Sequence, residues 1–440
     1  MGHETGVKSK DRTDARHRAH HRLRIVICVH RLILGGDIIN AIEMAGRLRD
    51  RGHEVTLFAI HEEVEPALDL ARDSGLPILV VDQPRGIRSR LRLIREVAAF
   101  VRDRHIDVVH TFGHGDTYTM FVGAHALARV PIVVNDYSMT LSASRPRRTP
   151  LVVGTRRVAD EARGRRGPVT VLEPPIDTEF NAPGVVDGAA FRRALAIGPD
   201  DLLLVIVGRL ARVLKLPGLL ASIEAVVRLD DRRVTLAIVG DGEAEEQVTS
   251  CARAANATLG RPSVVLLGQM VDPRAAYDAA DIVLGMGHSA LRAMAFAKPL
   301  IVLGDGGFAV TLEPETLPMF AYDGIYGVGD GGDAAAPISE ELRALMDDPQ
   351  LRTRLGAWGR SVAIRHFSME RAANVWEETY AAAMSKPWSA IDCGLDAMWM
   401  ARQYLPGKVK LLLGGNVEEG RTINWTPAPS DDRAATNRTT

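Results

Sequence analysis

Short runs of β-branched and aliphatic residues recur along the chain in two series, separated by stretches of helical spacing. The first series is RIVICV (24–29), EVTLFAI (54–60), LPILVVD (76–82), IDVVH (106–110), PIVVN (131–135), PLVVG (150–154) and VTVLE (169–173). The second is LLLVIVG (202–208), VTLAIVG (234–240), SVVLLG (263–268), DIVLG (281–285) and PLIVLG (299–304). Apolar runs without polar alternation suit strands buried on both faces, which is the setting of a parallel sheet. Between the first two runs Ile38, Ile42, Ala45 and Leu48 fall at helical spacing, and Gly52 is placed to stop that helix. Strands alternating with helices predict an α/β protein with doubly wound, Rossmann-like parallel sheets, one for each series.

The rhythm breaks at FNAPGVVDGAAFRRALAIGPD (180–200), where Pro, Gly and Asp cluster. The predicted organisation is a disordered basic tail over 1–22, a first domain over 23–180 and a linker over 181–200. A second domain over 201–365 and C-terminal helices with a disordered tail over 366–440 complete it. At 440 residues the chain exceeds one ordinary core, in keeping with two domains. Two such sheets leave a cleft between them, and ligands of doubly wound sheets sit beyond the carboxyl ends of the strands.

Several function classes drop out. Net charge is −1 and aromatics are 5% of residues, so neither a basic footprint nor base-stacking platforms point to nucleic acid. The three cysteines, Cys28, Cys251 and Cys393, are far apart and form no CxxC or Cys/His cluster, which argues against a disulfide framework or structural zinc. There is no apolar signal core at the N-terminus and no run of 18 apolar residues, so a cytoplasmic protein is expected. Charge is uneven: residues 1–180 hold 28 Lys and Arg against 23 Asp and Glu, so the first domain is the candidate for an anionic partner. The Arg-rich segment 84–104 reads either as the solvated face of a sheet-packed helix or as a weak peripheral contact with anionic lipid.

Candidate site residues gather at strand ends. Arg209 follows the strand that ends in Gly208, and Lys215 lies six residues on; the pair suits a diphosphate or forms two surface cations flanking a turn. In the segment 281–299, Gly285-Met286-Gly287 leads through His288 into a helix that Ser289 is placed to cap. Free N–H groups at such a start bind phosphate, though a tight turn needs glycine in any case. Arg292, one turn in, adds a phosphate contact or faces solvent. Asp241, within Gly240-Asp241-Gly242, orients a basic residue or sugar hydroxyl, or caps a helix. In the first domain Gly35 and Gly36 open a helix towards an anionic or hydroxyl-rich ligand. His110, His114 and Asp136 are candidate bases or hydrogen-bonding groups, or structural residues of strand ends. His110, His114 and Asp136 stand at no recognisable metal-ligand spacing and do not predict a metal.

Taken in order over residues 24–383, these pieces resemble the glycosyltransferase family 4 (group 1) enzymes of GT-B fold. The resemblance rests on LGGDIINAIEMAGRLRDRGHEVTLF, VLEPPIDTEF, VGRL with Lys215, VGDG, LLGQM, and YDAADIVL running into GMG and AMAFAKPLIV. It implies a retaining transfer of sugar from a nucleotide-diphosphate sugar to an acceptor hydroxyl, with no cofactor or metal required. It further implies that Arg209 and Lys215 neutralise the donor diphosphate, that Gly285, Met286, Gly287, His288 and Ser289 cradle the distal phosphate, and that Gln269 and Met270 lie beside the nucleobase. Gly35 and Gly36 would face phosphate and acceptor, with His110 or His114 near the transferred sugar and His114 and Asp136 on the acceptor side. The family pattern carries two glutamates eight residues apart, and here those positions hold Leu284 and Arg292. Glu313 and Glu315 are the candidate replacements. That departure motivates a second reading, a transferase-like partner or regulator without activity; a phosphorylase or an epimerase of the same architecture is a third.

Overall fold

The computed structural model describes residues 22–29, 36–61, 71–72, 74–84, 86–112 and 115–412. The first sheet is formed by β1 (Arg24–Val29), β2 (Glu54–His61), β3 (Ile78–Asp82), β4 (Val108–Phe112), β5 (Ile132–Asp136), β6 (Leu151–Val153) and β7 (Val169–Val171). Its order is β3-β2-β1-β4-β5-β6-β7, with every pair parallel. Each expected run of the first series is a strand of this sheet. In the centre Ile27 pairs with Leu57 on one side and His110 on the other, and β1 is buried from Ile25 to Val29. Helix α1 (Gly36–Asp50) leaves the carboxyl end of β1 and buries Ile38, Ile42, Ala45 and Leu48 against the sheet. It stops where expected: Gly52 takes φ 97° while His53 N–H closes back on Leu48 O at 3.2 Å. Helix α2 (Ile87–Asp103) buries Leu93, Ile94, Val97, Ala98 and Val101, and leaves Leu91 exposed. Helix α3 (Gly115–Met120), extended by a π-helical stretch over Phe121–Leu127, and α4 (Arg156–Glu161) complete this unit.

The second sheet contains β8 (Leu202–Val207), β9 (Val234–Val239), β10 (Val264–Leu266), β11 (Ile282–Gly285), β12 (Leu300–Leu303) and β13 (Ala309–Thr311), with α5 (Gly188–Ala194) preceding β8. The order is β10-β9-β8-β11-β12-β13, parallel except for the antiparallel edge strand β13. Its layers are helices α6 (Leu216–Leu229) and α7 (Glu245–Leu259), then α8 (Arg274–Ala279), α9 (His288–Ala295), α10 (Leu317–Asp323), α11 (Ala335–Asp347) and α12 (Pro349–Val362). Sheet cores form on both faces, one beneath α6, α7 and α11 and one beneath α8, α9 and α12.

The stretch 181–200, expected as a linker, is in part a helix docked on the second domain. Asp187 caps α5 through Ala190 N–H at 2.8 Å, Arg192 pairs with Asp281 at 2.7 Å, and Gly184 and Gly188 donate to Asp278 at 3.0 and 3.1 Å. The anchoring is tertiary, which explains why local composition misled. The chain crosses between domains twice at one point, where Ile176 N–H bonds Phe367 O at 2.7 Å and Met369 N–H bonds Ile176 O at 3.1 Å. After the second crossing α13 (Met369–Ser385) returns to the first domain and inserts Trp376 and Tyr380 into its core. Arg51 and His53 clamp α13 through Glu377 at 2.9 and 3.0 Å. Helix α14 (Ala390–Leu412) follows on the same domain, its buried Asp396 held by Arg148 at 3.1 Å. Of the expected 1–22 tail, residues 1–21 lie outside the described residues, as does the chain beyond 412.

Candidate active site

The loop after β8 is shaped by close backbone approach. Gly240, at φ 144°, lies so near Gly208 that a Cβ there would stand 2.0 Å from Gly208 O, and Gly242 is packed likewise against Leu210 O at 2.6 Å. Leu210 N–H donates to Asp241 O at 2.6 Å, so Asp241 contributes through its backbone. The capping role considered for it is not seen: α7 starts at Ala244 with no side-chain cap. This clamp sets the turn that carries Arg209, whose side chain is exposed, and Lys215, whose Nζ would meet a Cβ on Gly208 at 2.9 Å. Burial, reinforced by Arg209, lowers the Lys215 pKa from its ordinary value, so an anion at this turn would relieve an unfavourable cation pair.

Gly287, at φ 57°, is the N-cap of α9, and no side chain caps that helix. Ser289 does not cap it as expected; its hydroxyl donates to Met286 O at 3.1 Å. Gly287 N–H is taken by Ile325 O at 2.8 Å, which leaves the amides that follow as the anion-binding end of the helix. His288 stands at that end near Lys215 and Arg292; burial and these two cations together push its imidazole down to about 3, so it is neutral. A Cβ on Gly285 would meet Ser289 Oγ at 2.7 Å and so turn that hydroxyl aside. Arg209, Lys215, His288, Arg292 and an uncapped helix start thus converge beyond the carboxyl ends of β8 and β11.

The first domain faces this cluster with α1. A Cβ on Gly36 would lie 3.9 Å from His288 Cβ, and Asn40 Nδ2 donates to His288 Nδ1 at 3.2 Å. One turn on, the Glu43 carboxyl is raised to about 7, chiefly by burial; Arg292 opposes the shift and Asp177 adds to it. Sequence reasoning missed Asn40 and Glu43. Their signal was two polar residues three apart just after a Gly-Gly turn, which on a surface helix reads as the solvated side.

Other candidates are placed elsewhere. His110 is fully buried between β4 and α13, where its Nδ1 bonds Tyr380 Oη at 2.8 Å and its ring packs 4.4 Å from Trp376. Burial holds its imidazole down at about 3, so it is a poor base, and its place in the aromatic core is structural. Asp136 is committed to a buried ion pair with Arg145 at 2.9 Å, and Arg145 also reaches Thr117 at 2.9 Å. Burial, with Glu315 and Glu341 adding to it, raises the Glu313 pKa; the described partners of Glu313 and Glu315 do not include α9. Gln269 is exposed and Met270 is half-buried against the second core. Gly35 and His114 lie outside the described residues. Leu284 is 1% exposed and packs in the sheet core, so its side chain takes no part in the cleft. Among the described residues no cluster of three metal-ligating side chains occurs, and no helix is long and apolar enough to cross a membrane.

Two family models match: a glycosyl transferase 4-like domain over residues 41–169 and glycosyl transferases group 1 over residues 201–348, between them more than half the chain. A glycosyltransferase from Rickettsia africae ESF-5 superposes with TM-score 0.68 at 12% identity, over 83% of this chain and all of that one. The Anabaena protein HepE, solved in complex with UDP, gives TM-score 0.65 at 16% identity, over 82% of this chain and all of that one. The catalytic domain of Arabidopsis thaliana starch synthase IV, bound to ADP and acarbose, gives 0.58 at 13% identity, over 83% and 100%. These likenesses share the two-sheet GT-B architecture. No curated protein matches the sequence.

Proposed function

This chain belongs to the group 1 glycosyl transferases, and from that premise we propose that it transfers a sugar from a nucleotide-diphosphate donor to an acceptor hydroxyl with retention of configuration. The observation that carries this reading is the convergence of Arg209, Lys215 and the uncapped start of α9 at one cleft. A departing diphosphate needs charge at the moment the glycosidic bond breaks, and fixed cations and amides supply it without reorganisation. The acceptor oxygen bonds the anomeric carbon on the face from which the diphosphate leaves, and the acceptor proton passes to the leaving phosphate oxygen. In this scheme His110 has no catalytic part, and no metal or cofactor enters. Gln269 and Met270 border the nucleobase, and the α1 end of the first domain borders the acceptor.

HepE was solved with UDP and starch synthase IV with ADP; both support a nucleoside diphosphate here. The reaction fits a cytoplasmic protein whose three cysteines form no disulfide. The outward face of α2, with Arg88, Arg92 and Arg95 beside exposed Ile87 and Leu91, suits a weak contact with anionic lipid. The test is a thermal-shift panel of UDP, GDP, ADP, TDP and CDP on wild type and Arg209→Ala, followed by transfer assays with sugar nucleotides of the base that binds. At 100 times its dissociation constant a ligand stabilises by about 2.7 kcal/mol. One nucleotide should shift wild type and not the variant; near-normal turnover by Arg209→Ala would overturn the assignment. Binding without turnover would instead favour a non-catalytic partner, the reading motivated by Leu284 and Arg292.

A further inference from the structure

The two helices that meet across the cleft present matched polar pairs: Asn40 and Glu43 on α1, His288 and Arg292 on α9. Asn40 is fully buried, and its amide nitrogen can only donate, so His288 Nδ1 accepts. The ring is neutral, since burial together with Arg292 and Lys215 disfavours its cation. Its single proton therefore sits on Nε2. Among the described residues that N–H is enclosed and without an acceptor, as is Arg292 Nε–H on the same seam, while Asn40 Oδ1 and Glu43 Oε2 there lack a donor. Native structures seldom leave so many neighbouring buried polar atoms unmatched, and each such atom needs its own explanation.

We propose that Asn40 is a positioning residue of the first domain that fixes His288 as the Nε2–H tautomer, so that the ring donates to an oxyanion entering at the start of α9. The His288 Nε2–H and Arg292 Nε–H of the seam are then donors that the ligand's oxygens satisfy, and the anion tightens a contact that the two domains already make. The diphosphate of a sugar nucleotide has the chemistry required: several acceptor oxygens and a charge that Arg209, Lys215 and Arg292 offset. The identity of that anion as a donor diphosphate rests on the transferase reading; the tautomer does not.

The experiment uses histidine-selective 15N labelling of the full chain, with the His288 signals assigned by their loss in His288→Gln, and inorganic pyrophosphate as the anion probe. Wild type should show an unprotonated Nδ1 and protonated Nε2 from pH 5 to 8. In Asn40→Asp the new carboxylate accepts from Nδ1–H, so the tautomer should invert or the ring should titrate within that range. Arg292 and Lys215 also face the ring, Glu43 lies one turn along α1, and all three are unchanged between the two proteins. Pyrophosphate should bind about tenfold more weakly to Asn40→Ala than to wild type, and Asn40→Ala should add no further loss in a His288→Gln background. That last arm also decides the matter if Asn40→Asp does not fold. A protonated Nδ1 in wild type, or additive losses in the Asn40→Ala/His288→Gln double variant, would overturn the proposal. If the tautomer is as stated and no sugar nucleotide binds, the positioning role stands and the transferase reading fails.

Discussion

Glu43 makes the most direct test of how the domains meet. Its carboxyl is carried from 4.5 to about 7, mainly by burial, because the nearby Arg292 lowers it less than desolvation and Asp177 raise it. At about 1.4 kcal/mol per pH unit, ionising Glu43 in the folded protein carries a penalty of about 3 kcal/mol relative to the unfolded chain. The sign follows from proton binding. Between pH 4.5 and 7 the folded state holds the proton more tightly than the unfolded state, so stability falls as pH rises through that window, and the full penalty is present above it. Glu43→Gln keeps the shape and removes the ionisation. It should match wild type at pH 4.5 and exceed it by up to about 3 kcal/mol at pH 8.5. With roughly 2–4 °C per kcal/mol for a cooperative unit of 150–250 residues, the gap in Tm should reach several degrees at the alkaline end alone. The assay is thermal unfolding of both proteins across pH 4.5–8.5. An equal gap at both ends, or a less stable variant at pH 8.5, would refute the burial of Glu43 at the seam.

Three further outcomes follow from packing and backbone conformation. Arg145→Ala leaves the Asp136 charge in the core without its 2.9 Å partner, and should lower stability by about 3–5 kcal/mol in urea unfolding, with Asp136→Ala/Arg145→Ala losing less than the sum of the single changes. Gly240→Ala places a Cβ 2.0 Å from Gly208 O. It should shift the Arg209 turn and weaken nucleoside diphosphate binding in a thermal-shift titration. Gly331→Ala, at φ 85° with open space around it, should cost about 1–2 kcal/mol of stability and leave binding unchanged.

What could be read from sequence divides along physical lines. The parallel strands were legible because burial on both faces writes them as unbroken apolar runs, and β1 and β8 are buried nearly throughout. Strand β13 was not, since three residues on an antiparallel edge carry no such run. Helix α5 was masked by its Pro- and Gly-rich surroundings, its anchor being the distant Asp281. At the site, Arg209, Lys215 and the Gly285–Gly287 turn stood out because strand ends and glycines mark them. His110 stood out for the same reason and misled, because the residues that seal it, Trp376 and Tyr380, arrive from a helix more than 260 positions away. Asn40 and Glu43 were invisible for the converse reason: only the other domain makes them interior.

The seam also bears on motion. If an anion must enter beneath Asn40 and His288, α1 and α9 have to part, and the two crossings bonded at Ile176 and Phe367 supply the pivot because α13 is fixed to the first domain. A Cβ on Gly36 would lie 3.9 Å from His288 Cβ, inside the roughly 3.5–4.5 Å span of a disulfide. In a Cys251→Ser background, which removes the half-buried native thiol, Gly36→Cys with His288→Cys should therefore cross-link under mild oxidation. Comparison is made within one protein, reduced against oxidised, so the loss of the imidazole cancels. The reduced form should be stabilised by pyrophosphate and the oxidised form should not, with reductant restoring the response. Failure to cross-link would mean that α1 and α9 do not meet in solution. Equal pyrophosphate binding by the locked and free forms would mean that the anion reaches its site without the domains parting.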